Sequence, residues 1–255
     1  MKFGSRKSEV MNKNRILAVV THPDDEFGFA GILLRAKSRG DEVHMVCVTK
    51  GEAGRVRNEK FNLLKSYSIA EIRTKEFLES CKVLNVESYS FLGLLDGESM
   101  LWDEIDAIDR LKEQFDRINP THVISFDKNG LNGHPDHIAA TNLTEQVLSE
   151  YKHVKWIQLT KYSREFFSKK LWFLPLPLKN KVIKKACVNE GVKTKIHKLN
   201  RKEYKVKMIL LEIYSSQFPD ERNRYYSQSR WIVQLMGKYE SILLTESIDS
   251  LGFLG

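Results

Sequence analysis

The sequence predicts an α/β fold, a Rossmann-like three-layer sandwich whose sheet is mostly parallel. Over residues 14–160, five short apolar runs alternate with longer segments of helical periodicity. That alternation is typical of a parallel sheet with helices on both faces. In the common strand order 3-2-1-4-5 the first and fourth strands are neighbours, and ligands bind beyond their carboxyl ends. A polar cluster follows each of those two strands, at residues 22–26 and 133–137.

The predicted strands and helices alternate along the first two thirds of the chain. The first strand covers residues 16–20, and the helix after it ends at Gly40, because glycine commonly terminates helices. Pro120 ends the helix that precedes the fourth strand. The other predicted strands are residues 42–49, 88–92, 123–126 and 154–159, and the predicted helices are residues 27–39, 61–84, 102–118 and 136–151.

The pattern changes after residue 160. Aromatic side chains and two prolines come first, and a lysine-rich segment follows them. Helical periodicity returns over residues 203–214 and 231–244. Since no linker or repeat interrupts the chain, we predict a single domain over residues 1–255. It would consist of an α/β core, residues 14–160, and a basic cap with C-terminal helices, residues 161–255, that is helical or irregular.

The composition is that of a folded protein in a reducing compartment. The chain has 255 residues and is 42% hydrophobic, which excludes an intrinsically disordered protein. Cys47, Cys81 and Cys187 are widely spaced, so we expect buried free thiols and no disulfide framework. Residues 1–14 lack the apolar core of a signal peptide, and no apolar run approaches the roughly 20 residues that span a bilayer. We therefore expect a cytoplasmic protein, or one that is peripheral to a membrane.

The first polar cluster places a histidine, a proline and three carboxylates directly after a buried strand. Charged groups in that position cost solvation energy unless a partner compensates them, and a cation is the natural partner. Zinc binds histidine nitrogen and carboxylate oxygen, and its catalytic sites use three protein ligands with one position open. His22, Asp25 and one histidine of the second cluster, His134 or His137, would form such a set.

Two further groups have the chemistry for catalysis beside a zinc ion. A carboxylate that does not bind the metal, Asp24, would take a proton from water as general base. The remaining histidine of the second cluster would stabilise the oxyanion or protonate the leaving group. Taken alone, each motif is a weak signal, because His22–Glu26 also suits an acidic helix N-terminus.

The paired motifs resemble those of the PIG-L/LmbE-like zinc de-N-acetylases. These enzymes hydrolyse the acetamide of amino sugars, including N-acetylglucosaminyl lipids and inositol conjugates. The turn at Thr49–Gly54 matches the family's Thr-x-Gly-Glu-x-Gly pattern. The resemblance covers roughly residues 14–160 and one patch near residue 217. It rests on His22–Glu26, Thr49–Gly54, Phe126, Asp127, Gly130, His134–His137 and Tyr214–Gln217.

Carried over by position, the resemblance implies a role for each motif residue. The zinc ligands would be His22, Asp25 and His137. Asp24 would be the general base. His134 would support the tetrahedral intermediate and protonate the departing amine.

The resemblance also implies three supporting residues and shows one departure. Asp136 would orient His134. Arg73 falls where the family places an arginine that contacts the substrate sugar, and Asp96 where it places a sugar-binding carboxylate. Where some relatives carry a tyrosine two residues before the first histidine of the second motif, this chain has Asn132, so we do not count on a phenol for oxyanion binding there.

The positive charge of the chain is concentrated in one segment. Residues 161–210 contain fifteen Lys or Arg and three Asp or Glu. A solvated face is the ordinary interpretation. The aromatic residues among the lysines suggest peripheral membrane contact through residues 166–207, and attraction of an anionic substrate is a third interpretation. No recognition helix or stacking module is evident, so we do not expect nucleic acid as a partner.

These observations favour a zinc-dependent hydrolase that deacetylates an N-acetylated amino sugar, either a small molecule or lipid-linked. A zinc amidase for a non-sugar amide or thiol conjugate is one alternative, and a non-catalytic carbohydrate-binding protein is another. Two histidines and one carboxylate also suit ferrous iron. The glycines at residues 51–54 do not have the G-x-G-x-x-G spacing, so we expect no nucleotide cofactor.

Overall fold

In a computed structural model, seven strands form one mixed sheet in the order β3-β2-β1-β4-β5-β7-β6. The structure describes residues 13–56, 67–187, 192–218 and 237–244. The strands are β1 (Arg15–Val20), β2 (Glu42–Cys47), β3 (Ser88–Phe91), β4 (His122–Phe126), β5 (Lys155–Leu159), β6 (Thr194–Lys198) and β7 (Tyr239–Leu243).

Helices cover both faces of this sheet. They are α1 (Ala30–Ser38), α2 (Ile69–Leu84), α3 (Glu104–Ile118), α4 (Gly130–Gly133), α5 (Pro135–Glu150), α6 (Arg164–Lys170), α7 (Leu176–Ala186) and α8 (Arg201–Ile213). Short 3-10 helices at Asp25–Phe29 and Ser99–Leu101 add to them. Capping explains two of the starts: Ser68 and Asn200 each form a capping box with a glutamate three residues later.

The core lies on both sides of β1. Ile16, Ala18 and Val20 face a buried cluster that includes residues of α1 and α2. Leu17 and Val19 face a second buried cluster, to which α3 and α5 contribute. Alternate residues of a strand point to opposite faces, so a strand covered on both sides is apolar throughout, as this one is.

The predicted α/β class and the order of the first five strands are confirmed. β1 to β5 pair in parallel, in the order 3-2-1-4-5. All three cysteines are buried free thiols, also as expected. Among the described residues, no helix is both long enough and apolar enough to cross a bilayer.

The C-terminal part corrects one prediction. A helix was expected over residues 231–244, but Tyr239–Leu243 is a strand, and residues 231–236 lie outside the described part, as do residues 61–66 of the expected second helix. β7 pairs antiparallel with both β5 and β6, so part of the expected cap extends the sheet. Glu240 anchors β7 to the core: its buried carboxylate accepts hydrogen bonds from backbone N–H groups of α1 and from Lys207.

The register of the sheet brings the two polar clusters to one edge. β1 and β4 pair side by side, with Ala18 opposite Ile124. The chain leaves both strands at the same edge within a few residues of that pair. The segment after β1 and the segment after β4 therefore meet beyond the carboxyl ends of the central strands.

Candidate metal centre

The turn after β1 holds the first cluster in a strained conformation. Asp24 has φ 103°, a left-handed backbone that non-glycine residues rarely adopt. Its carbonyl accepts a hydrogen bond from the backbone N–H of Phe27, and the 3-10 helix begins at Asp25. The carboxylate of Asp25 accepts a hydrogen bond from the backbone N–H of His22 at 2.7 Å. These bonds fold His22 and Asp25 towards each other.

The turn after β4 delivers the second cluster from the opposite side. Asp127 follows the last residue of β4, and its Oδ1 accepts hydrogen bonds from the backbone N–H groups of Asn129 and Leu131. α5 then begins with His134 as its N-cap and Pro135 in its first turn, a position that proline favours. His137 lies one turn further along this helix and is buried against Phe126.

Three ligand atoms converge between the two turns. His22 Nδ1 lies 3.1 Å from His137 Nε2 and 3.5 Å from Asp25 Oδ2, and His137 Nε2 lies 3.4 Å from the same oxygen. Ligands about 2.1 Å from a tetrahedral zinc ion lie about 3.4 Å from one another. The triangle therefore has the size that a zinc ion requires.

The outer nitrogen of each ring is already engaged. His137 Nδ1 lies 3.1 Å from the carbonyl oxygen of Gly130, and His22 Nε2 lies 2.9 Å from Asp96 Oδ1. Because oxygen acceptors take the protons of these two nitrogens, the inner nitrogens of the neutral rings carry lone pairs. Two lone pairs facing each other at 3.1 Å repel unless a cation lies between or beside them. The donor set thus fits a divalent metal.

The charge distribution also favours a cation. Burial disfavours the charged form of His22, but its hydrogen bonds to Asp25 and Asp96 outweigh this and raise its pKa to about 10. For Asp25, the effect of burial is overcome by the charge of His137 and by hydrogen bonding to His22, which lower its pKa to about 2. Burial lowers the pKa of His137. Without a metal, the cluster therefore holds a proton on His22 at neutral pH.

Asp24 precedes Asp25 in the first turn and forms an ion pair with Arg73. Its side chain is 26% exposed, and burial raises its pKa to about 8 against the opposing charge of Arg73. Arg73 is buried: its guanidinium donates to the carbonyl oxygens of Pro23 and Gly51 and lies 3.3 Å from Asp24 Oδ1. Arg73, which we expected to contact a sugar, therefore binds the backbone of the turn after β1 and of the turn after β2.

Asp96 and Asp136 both face His22. Asp96 also accepts a hydrogen bond from the backbone N–H of Ala53, so it connects the turn at Thr49–Gly54 to His22. Asp136 Oδ2 lies 3.4 Å from His22 Nε2 and accepts a hydrogen bond from the backbone N–H of Gly97. The carboxylate of Asp136 thus lies near His22, whereas its backbone N–H donates to His134 Nδ1.

His134 is exposed beside the buried cluster. Its ring centroid lies 5.1 Å from those of both His22 and His137, and its Nδ1 accepts a hydrogen bond from the backbone N–H of Asp136 at 3.3 Å. The neutral ring then carries its proton on Nε2. Asn132, the departure from the family pattern, accepts a hydrogen bond from the backbone N–H of His134 with its side-chain oxygen.

Glu26 supports the first turn, although the sequence analysis assigned it no role in the site. The buried carboxylate of Glu26 accepts hydrogen bonds from Ser80 and Tyr214 and from the backbone N–H of Asp24. Burial raises the pKa of Glu26. This contact explains why Tyr214, far along the chain, shares a motif with the site. The resemblance over Tyr214–Gln217 was the signal that could have identified it.

Comparison with known proteins gives a consistent result. A sequence model of the PIG-L family, described as GlcNAc-PI de-N-acetylase, matches residues 17–148. The chain is 30% identical over 128 residues to the probable N-acetyl-alpha-D-glucosaminyl L-malate deacetylase 2 of Bacillus subtilis, covering 50% of this chain and 57% of the relative. It is 32% identical over 151 residues to a 1D-myo-inositol 2-acetamido-2-deoxy-alpha-D-glucopyranoside deacetylase of Corynebacterium diphtheriae, covering 52% of each. The match thus spans little more than half of these relatives.

The fold is also present among solved structures. The N,N'-diacetylchitobiose deacetylase of Pyrococcus horikoshii superimposes with a TM-score of 0.60, over 91% of this chain and 84% of that chain. Sequence identity in that alignment is 20%. The likeness supports the α/β architecture described above.

Proposed function

Because the chain belongs to the PIG-L family of de-N-acetylases, we propose that it is a metal-dependent hydrolase that removes the acetyl group from an N-acetylated amino sugar. Water and the amide are converted to acetate and a free amine. The observation that carries the proposal is the triangle of His22 Nδ1, Asp25 Oδ2 and His137 Nε2, with sides of 3.1 to 3.5 Å. A site built only to bind sugar has no use for such a set.

His22, Asp25 and His137 would hold the metal. When bound there, a divalent ion supplies Lewis-acid polarisation of the acetyl carbonyl and lowers the pKa of water. We propose zinc, and ferrous iron suits the same two histidines and one carboxylate. Asp96 and the Gly130 carbonyl would keep the two rings in the tautomers that ligation needs.

Asp24 and His134 would move the protons. Asp24 is partly exposed and does not belong to the ligand triangle, so it is free to take the proton of the attacking water as general base. Arg73 would hold Asp24 in place and partly offset the effect of burial on its anionic form, and a carboxyl whose pKa is raised to about 8 is a stronger base than an ordinary carboxylate. His134 carries its proton on the nitrogen that faces away from Asp136, where it can donate to the departing amine.

The substrate we propose is an amino sugar, either free or linked to a lipid, met in the cytoplasm. Asp96 and Arg73 stay our predictions for contacts with sugar hydroxyls. Both side chains also make contacts within the protein. Asp96 Oδ1 lies 2.9 Å from His22 Nε2, and Arg73 donates hydrogen bonds to two backbone carbonyl oxygens. We expect any sugar contact to use the atoms that these bonds leave open.

The test is a substrate panel read by both acetate and free amine. We expect release of equal amounts of the two from N-acetylglucosamine glycosides, loss of release with a chelator, and recovery when zinc is restored. Release from non-sugar amides alone would identify an amidase of another class. No release from any amide, with sugar binding intact, would identify a carbohydrate-binding protein and contradict the proposal.

A further inference from the structure

A helical hairpin carries exposed apolar side chains at its tip. The basic hairpin, residues 161–187, consists of α6, the turn after it and α7. Trp172 is 79% exposed, Phe173 49% and Leu176 67%, and we call these three side chains the hairpin tip. The rings of Trp172 and Phe173 contact each other edge to face, and large exposed apolar side chains grouped in this way are typical of an interaction surface.

The hairpin is folded rather than frayed, so the tip is presented on a stable support. Phe167, Leu171 and Cys187 form its small buried core. Tyr162 and Cys187 pair at its base, and the Tyr162 hydroxyl donates to the carbonyl oxygen of Tyr239 at 2.7 Å. The exposure of the tip is therefore a property of the folded hairpin.

The surroundings of the tip are strongly positive. Residues 161–187 contain eight Lys or Arg and a single acidic residue, Glu165, which pairs with Lys169. Lys184 is exposed on α7, and Lys170 lies over the rings of Phe166 and Tyr239. Tryptophan and phenylalanine beside lysines are the side chains that enter the interface of a bilayer whose headgroups are anionic.

We propose that the basic hairpin docks the protein on an anionic lipid surface, with the hairpin tip inserted among the headgroups. The positive charge of the hairpin favours an anionic membrane as the partner that binds the tip. A membrane supplies anionic headgroups around an apolar interior, which complements an apolar tip carried by a basic hairpin. This docking surface does not depend on which amide the metal centre hydrolyses.

A second exposed apolar group provides a matched control. Met100, Leu101 and Ile105 are 92%, 76% and 75% exposed. Acidic residues flank them in the sequence, among them Glu98 and Glu104, so we expect an anionic surface to repel this group. Serine substitutions there remove comparable exposed apolar area from the same protein without touching the basic hairpin.

The experiment is sedimentation of the full chain with vesicles, in the presence of a chelator so that hydrolysis plays no part. We expect binding to equal parts of phosphatidylcholine and phosphatidylglycerol, and binding at least about tenfold weaker to phosphatidylcholine alone. Trp172→Ser, Phe173→Ser and Leu176→Ser combined should weaken anionic binding at least about tenfold. Met100→Ser, Leu101→Ser and Ile105→Ser combined should leave it unchanged. High salt should release the wild-type protein.

Three results would overturn the proposal. They are absence of binding to either vesicle, equal binding to both, and unchanged binding of the tip variant. Light scattering tests whether the tip instead binds a second copy of the chain. If the protein does not bind vesicles but forms a dimer, and the tip substitutions dissociate that dimer, the tip is a dimer contact and the proposal is wrong. Amide hydrolysis measured on a soluble substrate reports separately on the metal centre.

Discussion

At the scale of single residues, the candidate metal centre depends on groups that orient its two proposed histidine ligands. His22 and His137 aim their inner nitrogens at one point because Asp96 and the Gly130 carbonyl hold the outer ones. Asp24 keeps an unfavourable backbone conformation because Glu26 and Arg73 hold it from two sides. Strain of that kind persists only where the surrounding contacts outweigh it.

Replacing the proposed base should separate chemistry from metal binding. Asn tolerates the left-handed backbone of Asp24, so Asp24→Asn keeps the turn but cannot accept the proton. We expect turnover to fall by about a hundredfold or more with zinc content unchanged. Acetate release and metal analysis on the same preparation measure the two quantities. Activity within a few-fold of wild type would remove Asp24 from the mechanism.

Metal affinity should rise with pH. The pKa of His22 in the metal-free site is raised to about 10, so this ring is protonated at neutral pH and must lose its proton when a metal binds. Because the proton competes with the metal below that pKa, affinity should increase about tenfold per pH unit across the neutral range. Calorimetry in buffers of different ionisation enthalpy counts the protons released. No proton release and a flat profile would contradict the charge assignment.

At the scale of elements, the strands that could be predicted from the sequence are those with an apolar pattern and a place in the parallel sheet, β1 to β5. Strand–helix alternation and the right-handed crossover rule leave few arrangements for the first five strands, and the observed order is among them. β6 was missed because an edge strand rich in lysine has no apolar pattern, and lysine is a common protection of such edges. β7 was missed because its burial follows from neighbours distant in the sequence.

The hydrogen-bond partners of the Arg73 side chain could not be predicted from the sequence either. It belongs to α2, and the carbonyls that it bonds lie in the turns after β1 and β2. The motif glycines gave the only sequence signal of this contact. Gly51 has φ +71°, and a Cβ there would overlap the Arg73 guanidinium.

A pair of glycine substitutions isolates this contact. Gly51 and Gly40 both have positive φ, but nothing lies within 4 Å of a Cβ built on Gly40. Gly40→Ala should therefore cost only about 1–2 kcal/mol of unfolding free energy from backbone strain. Gly51→Ala should cost about 2 kcal/mol more and reduce turnover, because Arg73 is displaced from Asp24. Urea unfolding and acetate release measure both effects, and equal costs would show that Arg73 is not held as described.

At the scale of the whole molecule, two segments more than a hundred residues apart in sequence form one centre because the sheet places β1 beside β4. Buried contacts then join the rest of the chain to it, since Tyr214 reaches Glu26, and Ser216 donates two hydrogen bonds to Glu76 on α2. The proposed ligand residues could be named from the sequence because they follow the ends of two neighbouring strands, β1 and β4. The contacts that orient them could not, because they depend on packing between distant helices.

The most direct test is anomalous diffraction from crystals grown with zinc, recorded on both sides of the zinc absorption edge. We predict one strong peak within bonding distance of His22 Nδ1, Asp25 Oδ2 and His137 Nε2. We also predict its loss in His137→Ala and its retention in His153→Ala, which removes an exposed histidine outside the centre. A peak at other residues, or none in a protein that still releases acetate, would contradict the assignment of this centre.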